Sequence, residues 1–240
     1  MLKYFKSLIP FKWKRHLKDH LGVPSLHWSL QNLKSKGFNP MSVLDIGAYE
    51  GLWTIDFLEV FPNARLLMLE AQAKKTNALL KIVEENKNVR FQVSLLSSID
   101  GEEVLFYENE TASHIINRTS NIELQATSMK TKTVDSILKE INFPLPEFLK
   151  LDVQGYELEV LKGAQNTLTN AEVCLLEVSL LDLGDGMPLA STVINFMAEF
   201  NYQMYDITQF MRRPYDKALF QIDLMFIKKD SSLIKEKRWN

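Results

Sequence analysis

From residue 42 onward, short apolar runs alternate with amphipathic stretches of helical period. Ser42–Gly47 is a compact apolar run of the kind that forms a strand buried on both faces. Leu52–Phe61 follows with helical spacing and stops at Pro62. Arg65–Ala71 predicts a second strand, Lys74–Glu85 a second helix ending near Asn86, and Val89–Leu96 a third strand. Strand and helix alternating at this interval predict a parallel sheet covered by helices on both faces. The middle is less regular. Asp100-Gly101 is a turn signal, Glu103–Tyr107 a short extra strand, 109–125 a polar loop, and Thr127–Lys132 an edge strand. Val134–Ile141 predicts a short helix before Pro144 and Pro146. The rhythm then returns, with strands at Phe148–Val153 and Glu172–Ser179 and helices at Glu157–Leu168 and Thr192–Phe200. The last strands are Tyr202–Ile207 and Phe220–Lys228. Upstream, Ser25 is placed to cap a helix reaching about Lys36, with Leu26, Leu30 and Leu33 on one face and Gly37 as its stop.

Composition sharpens this picture. The chain has 240 residues, 46% hydrophobic, with a net charge of −2, which excludes disorder as the main state. The expected division is a basic, partly helical N-terminal extension over 1–40, an α/β domain over 41–230, and a polar tail over 231–240. The single cysteine, Cys174, excludes a disulfide within these residues and a Cys-rich zinc site. Lying in an apolar run beside Leu175 and Leu176, it is expected to be inert core.

Charge is unevenly spread. Residues 1–40 carry eight lysines and arginines and one acid, Asp19, a balance of +7, while the other 200 residues carry −9. The basic segment is interrupted by Lys6, Pro10, Lys12, Lys14 and Arg15 and lacks a small-residue cleavage site, unlike a secretion signal. No apolar run reaches the ~18–20 residues that span a bilayer, and the expected location is cytoplasmic. The basic head has three readings: a face packed on the body through Phe5, Phe11 and Trp13, an element touching an anionic membrane surface, or a recognition element for an anionic acceptor. Nucleic acid is not an expected partner, because the body is acidic and lacks an RNA-binding aromatic motif.

Two motifs carry chemistry. In the first, Val43–Gly51, a strand runs into a turn bearing Gly47 and Gly51, and a helix begins just after it. Glycines suit a tight turn that a ligand approaches closely. The next strand ends in Glu70, a carboxylate placed to accept both ribose hydroxyls of an adenosine. The third glycine of the dinucleotide fingerprint is missing. Asp45, at the strand end, suits a cationic ligand better than a pyrophosphate. With Tyr49, Ala71 and Ser97 beside them, Asp45, Gly47, Gly51 and Glu70 form the expected site for S-adenosylmethionine.

The second motif is Phe148–Ala164, again strand, glycine turn and amphipathic helix. Lys150 and Asp152 are two apart, so their side chains share a face. This stretch, with Asp45–Thr54, Glu70, Asp100–Glu102, Thr133–Leu138 and Glu177, resembles the FkbM family of S-adenosylmethionine-dependent methyltransferases over about residues 42–180. The resemblance implies a class I Rossmann-like methyltransferase fold whose last strand is antiparallel. It also implies methyl transfer, usually to a hydroxyl of a sugar, glycan or small natural product.

A hydroxyl acceptor must be aligned and must lose a proton. Asp152 is the first candidate for that role, Lys150 the second if burial lowers its pKa, and His114 a third, from the middle loop. The competing reading of Lys150 and Asp152 is an ion pair that fixes the turn. Asp152 and Glu177 could share a divalent cation, but no further ligand at a matching spacing supports one, and no metal is expected. Rival functions are an NAD-dependent oxidoreductase and a non-catalytic glycan- or membrane-binding member of the fold.

Overall fold

The computed structural model describes residues 21–108, 114–116, 126–183 and 186–239, with 114–116 described as backbone only. Helix α1 (Leu26–Ser35) is capped by Ser25, whose hydroxyl accepts from the Trp28 amide. It buries Leu30 and Leu33, and Asn32 reaches the Tyr205 hydroxyl at 2.8 Å. Part of the N-terminal extension is thus built into the body. The rest of the basic head, residues 1–20, lies outside the described residues, and with it the expectation of contact with an anionic surface.

The elements then run in order: β1 (Ser42–Ile46), α2 (Leu52–Val60), β2 (Arg65–Glu70), α3 (Thr76–Glu85), β3 (Val89–Val93), β4 (Leu95–Leu96), β5 (Glu103–Tyr107), β6 (His114–Ile116) and β7 (Ala126–Lys132). They continue through α4 (Val134–Glu140), β8 (Phe148–Leu151), α5 (Glu157–Lys162), α6 (Gln165–Asn170), β9 (Val173–Ser179), α7 (Ala190–Glu199), β10 (Tyr202–Arg212) and β11 (Leu219–Lys228). Seven strands form the main sheet in the order β10-β11-β9-β8-β1-β2-β3. The last strand, β11, is antiparallel to both neighbours, while the strands from β9 to β3 pair in parallel. This is the expected mostly parallel α/β fold.

Each face of the sheet buries its own apolar layer. Successive residues of a strand point to opposite faces, and β1 and β8 follow that rule. Leu44, Ile46, Leu149 and Leu151 enter the layer beneath α4, α5 and α7. Val43 and Phe148 enter the layer beneath α1, α2 and α3, where Phe57, Phe61 and Phe148 meet ring to ring. Cys174 is fully buried in the layer beneath α4, α5 and α7, and burial pushes its thiol up to about 12.

Five sequence expectations change. The run Val89–Leu96 divides at Ser94, because β3 pairs with β2 whereas β4 pairs with β7 in a second, four-stranded sheet of order β4-β7-β5-β6. Strand β7 is therefore interior to that small sheet, not an edge. The supposed loop 109–125 contains β6, which pairs antiparallel with β5. The predicted helix Glu157–Leu168 breaks into α5 and α6 at Gly163, where a Cβ would lie 2.3 Å from the Ser97 carbonyl oxygen. The polar tail is anchored, since Leu233 is buried in the α1–α3 layer.

The chain order reverses between β1 and β8. Parallel sheets bind ligands at the carboxyl ends of the strands at such a switch point. There the Asp152 amide donates to the Ile46 carbonyl at 3.1 Å. A Cβ on Gly47, whose φ is +71°, would lie 1.7 Å from the Asp152 carbonyl oxygen. Only glycine permits this approach of the two strand ends.

Candidate active site

At the switch point a cleft of about 180 Å³ opens between the ends of β1, β2 and β8 and the small sheet. One wall holds Gly47, Tyr49, Glu70 and Ala71. The opposite wall holds Asp152, Gln154 and Tyr156, and Leu95, Leu96 and Phe106 make an apolar end. Of the residues expected to hold the cofactor, Gly47, Tyr49, Glu70 and Ala71 thus line one cavity, together with Asp152.

Glu70 is buried at the end of β2. One of its carboxylate oxygens accepts from the Tyr49 amide at 2.8 Å, the other from the Gln72 amide at 2.9 Å. These bonds draw the two turns onto the carboxylate. Each oxygen still has a lone pair to offer, since an ionised carboxylate accepts about four hydrogen bonds. Tyr49 has φ +50°, and the Lys75 ammonium lies 3.8 Å from the centre of its ring. Lys75 in turn pairs with Glu50 at 3.1 Å.

Three other expected residues stand behind the cleft. Asp45 is fully buried on the α2 side of β1. Thr54 donates to its Oδ2 at 2.7 Å, and the Lys150 ammonium lies 3.2 Å from its Oδ1. The parallel register sets Asp45 directly beside Lys150. The charge of Asp45 therefore meets Lys150 rather than a cationic ligand, and it does not discriminate against a pyrophosphate. Gly51, with φ +76°, starts α2 against α3; a Cβ there would lie 2.2 Å from Ile82. Ser97 is buried outside the lining, with its hydroxyl 3.3 Å from the Tyr156 hydroxyl.

Lys150 is not a proton acceptor in this environment. Its Nζ donates to the carbonyls of Gly47 at 2.8 Å and Ile46 at 3.3 Å, and lies 3.7 Å from Asp152. Burial alone would lower its pKa, but Asp45 and then Asp152 outweigh burial and hold the ammonium above its ordinary value. The ion-pair reading therefore describes Lys150, which ties β1 to β8. His114 lies in β6 opposite Tyr107, and its side chain is outside the described residues.

Asp152 is about one-third exposed and faces the cleft. Around it gather Glu157, Glu177 and Asp223. Glu157 accepts from the Val153 and Gly155 amides, both at 3.1 Å, which shapes the turn after β8. Burial raises Glu157 to about 7. Burial, then Asp152 and Asp223, raise Glu177 to about 9. Burial, then Asp152, raise Asp223 to about 6. Between Asp152 and Glu177 stands the Gln154 side-chain amide. Among the described residues, no group of three or more His, Cys, Asp and Glu side chains is arranged to hold a metal ion. Nor is any helix among them long and apolar enough to cross a membrane.

Gln154, Tyr156 and Phe106 were missed as cleft residues. Gln154 and Tyr156 sit inside the second motif, so their position after the strand was a usable signal. Phe106 comes from the small sheet, and nothing local in Glu103–Tyr107 indicates that this strand closes the cleft.

The model of the methyltransferase FkbM domain matches residues 45–204 of the chain. Hexuronic acid methyltransferase AglP of Haloferax volcanii is 33% identical over 63 residues, which is 26% of this chain and 26% of that protein. Among solved structures, a methyltransferase FkbM from Methylobacillus flagellatus superposes with a TM-score of 0.50 at 14% identity. That match covers 77% of this chain and 43% of the other, so the chain spans under half of its solved relative. At this identity the superposition speaks for the fold alone.

Proposed function

The chain belongs to the FkbM methyltransferase family, and from that premise we propose that it is an S-adenosylmethionine-dependent O-methyltransferase. The acceptor is a hydroxyl on a sugar, glycan or other small molecule. The observation that carries this reading is the pairing of two carboxylates across one cleft: Glu70 on the β2 side and Asp152 on the β8 side.

The cleft residues suit the cofactor chemically. Glu70 offers acceptors for two ribose hydroxyls. Leu95, Leu96 and Phe106 offer an apolar slot for a flat base. When bound, S-adenosylmethionine supplies an electrophilic methyl group. Asp152 orients the acceptor hydroxyl and takes its proton as the methyl group passes from sulfur to oxygen, the sulfur–carbon bond breaking to leave S-adenosylhomocysteine, then returns that proton to solvent. Lys150 keeps the Asp152 carboxylate at the strand end and does not enter the proton transfer. That AglP acts on a hexuronic acid, as its name states, is a reason to place sugars first among the acceptors.

Methyl-labelled S-adenosylmethionine, supplied with a panel of neutral and uronic methyl glycosides and simple amines, tests the reading. The expected product is a glycoside carrying the label as a base-stable ether. Label confined to amines, to base-labile esters, or to no acceptor would overturn it.

A further inference from the structure

Gln154 has φ +55°, in the left-handed region where side chains are strained and glycine is the easy choice. Gly155 follows at φ +96°, so two left-handed residues turn the chain sharply after β8. The side chain held in this unfavourable place has a specific use of its amide. Its Nε2 donates to Oδ1 of Asp152 and to Oε2 of Glu177, both at 2.9 Å. A single nitrogen thus bridges carboxylates from two neighbouring strands. From β11, Gln221 donates to the same Glu177 oxygen at 3.1 Å.

On the other side of Asp152, Oδ2 faces the Lys150 ammonium at 3.7 Å, and Lys150 reaches Asp45. Asp152 is therefore held at both oxygens, by a cation on one side and a neutral donor on the other. A planar carboxylate fixed at both oxygens has its rotation fixed as well as its position. The charged groups gathered here are Lys150 on β8, Asp45 on β1, Glu157 at the head of α5, Glu177 on β9 and Asp223 on β11. Of these carboxylates, Asp45 pairs with the ammonium, as Asp152 does. Without the bridging amide, Asp152 Oδ1 loses its neutral donor while Oδ2 keeps the Lys150 ammonium, and the carboxylate turns toward Lys150, out of line with the cleft.

We infer that Gln154 is a positioning residue for methyl transfer: its amide, anchored on Glu177, aims the Asp152 carboxylate at the acceptor hydroxyl. The inference rests on the reading above in which Asp152 receives the acceptor. Placing a reacting group about 1 Å wrongly can cost on the order of 10²-fold in rate, so losing the bridge affects turnover rather than cofactor affinity.

The test uses Gln154→Gly, which removes the amide and relieves the strain, and Gln154→Met, which keeps length and bulk without a donor. Both variants and the wild type are crystallised with S-adenosylhomocysteine and assayed on the glycoside of the panel turned over fastest. Expected are folded proteins in which the Asp152 carboxylate has turned onto Lys150. With them go a kcat lower by about 10²-fold and a KM for S-adenosylmethionine near that of the wild type. An Asp152 carboxylate superposing on the wild type in both variants overturns the inference, as does a kcat within about twofold of normal. A Gln154→Gly protein that fails to fold also overturns it, by making the bridge a structural one. A failure of the underlying reading shows elsewhere: Asp152→Asn would then turn over normally, whatever the Gln154 variants do to the carboxylate.

Discussion

Asp152→Asn is expected to lower methyl transfer by about 10²–10⁴-fold, the range for loss of a general base, while S-adenosylhomocysteine binds within a fewfold of normal. The substitution keeps the size and planarity of the side chain and removes its capacity to take a proton. The amide can still accept from Gln154 Nε2 through its remaining oxygen, so the turn after β8 is held. Asp152 also lies across the cleft from Glu70, whose contacts with the Tyr49 and Gln72 amides are untouched. Rate and affinity should therefore separate. Steady-state kinetics on the labelled glycoside together with calorimetry of S-adenosylhomocysteine measure both. Near-normal turnover would leave Asp152 as part of the ion-pair framework and remove it from the chemistry.

Lys150→Met is expected to destabilise the fold by about 3–5 kcal/mol, the cost of removing one partner of a buried ion pair. The side chain of Lys150 is 9% exposed and that of Asp45 0%. Methionine fills similar space but strands the Asp45 carboxylate with Thr54 as its remaining partner. It also takes the ammonium donor from the Gly47 carbonyl and leaves the Ile46 carbonyl with the Asp152 amide alone. For a chain of this length the melting temperature should fall by about 6–20 °C. The double variant Asp45→Asn/Lys150→Met should recover part of the loss, because the stranded charge is gone; residues in direct contact do not add. A single variant that melts with the wild type would show that the pair contributes nothing net and that β1 and β8 are held by backbone pairing alone.

Much of the sheet was legible because its strands are short apolar runs closed by Gly, Pro or acidic residues. The runs Ser42–Gly47 and Phe148–Val153 contain the strands Ser42–Ile46 and Phe148–Leu151, and the helix capped by Ser25 is read in the same way. The boundaries that failed depend on distant partners. Nothing within Glu157–Leu168 tells that Gly163 must clear the Ser97 carbonyl, and nothing within Val89–Leu96 tells that its halves join different sheets.

The site divides the same way. Gly47, Glu70 and Asp152 were readable because strand-end position alone takes them to the cleft. Asp45 misled, because its partner is fixed by the β1–β8 register, which a local motif does not contain. The rule that residues two apart share a face placed Lys150 beside Asp152. It could not show that the carboxylates of β1 and β8 together keep Lys150 protonated.

Calorimetric titration of S-adenosylhomocysteine into the wild type and Glu70→Ala, with NAD as the control ligand, bears most directly on the central claim. The wild type should bind S-adenosylhomocysteine and not NAD. Glu70→Ala should bind it more weakly by about 1.5–3 kcal/mol, the value of hydrogen bonds to a charged group. Binding of NAD in preference, or an affinity unchanged in Glu70→Ala, would contradict the assignment of this cleft to the methyl donor.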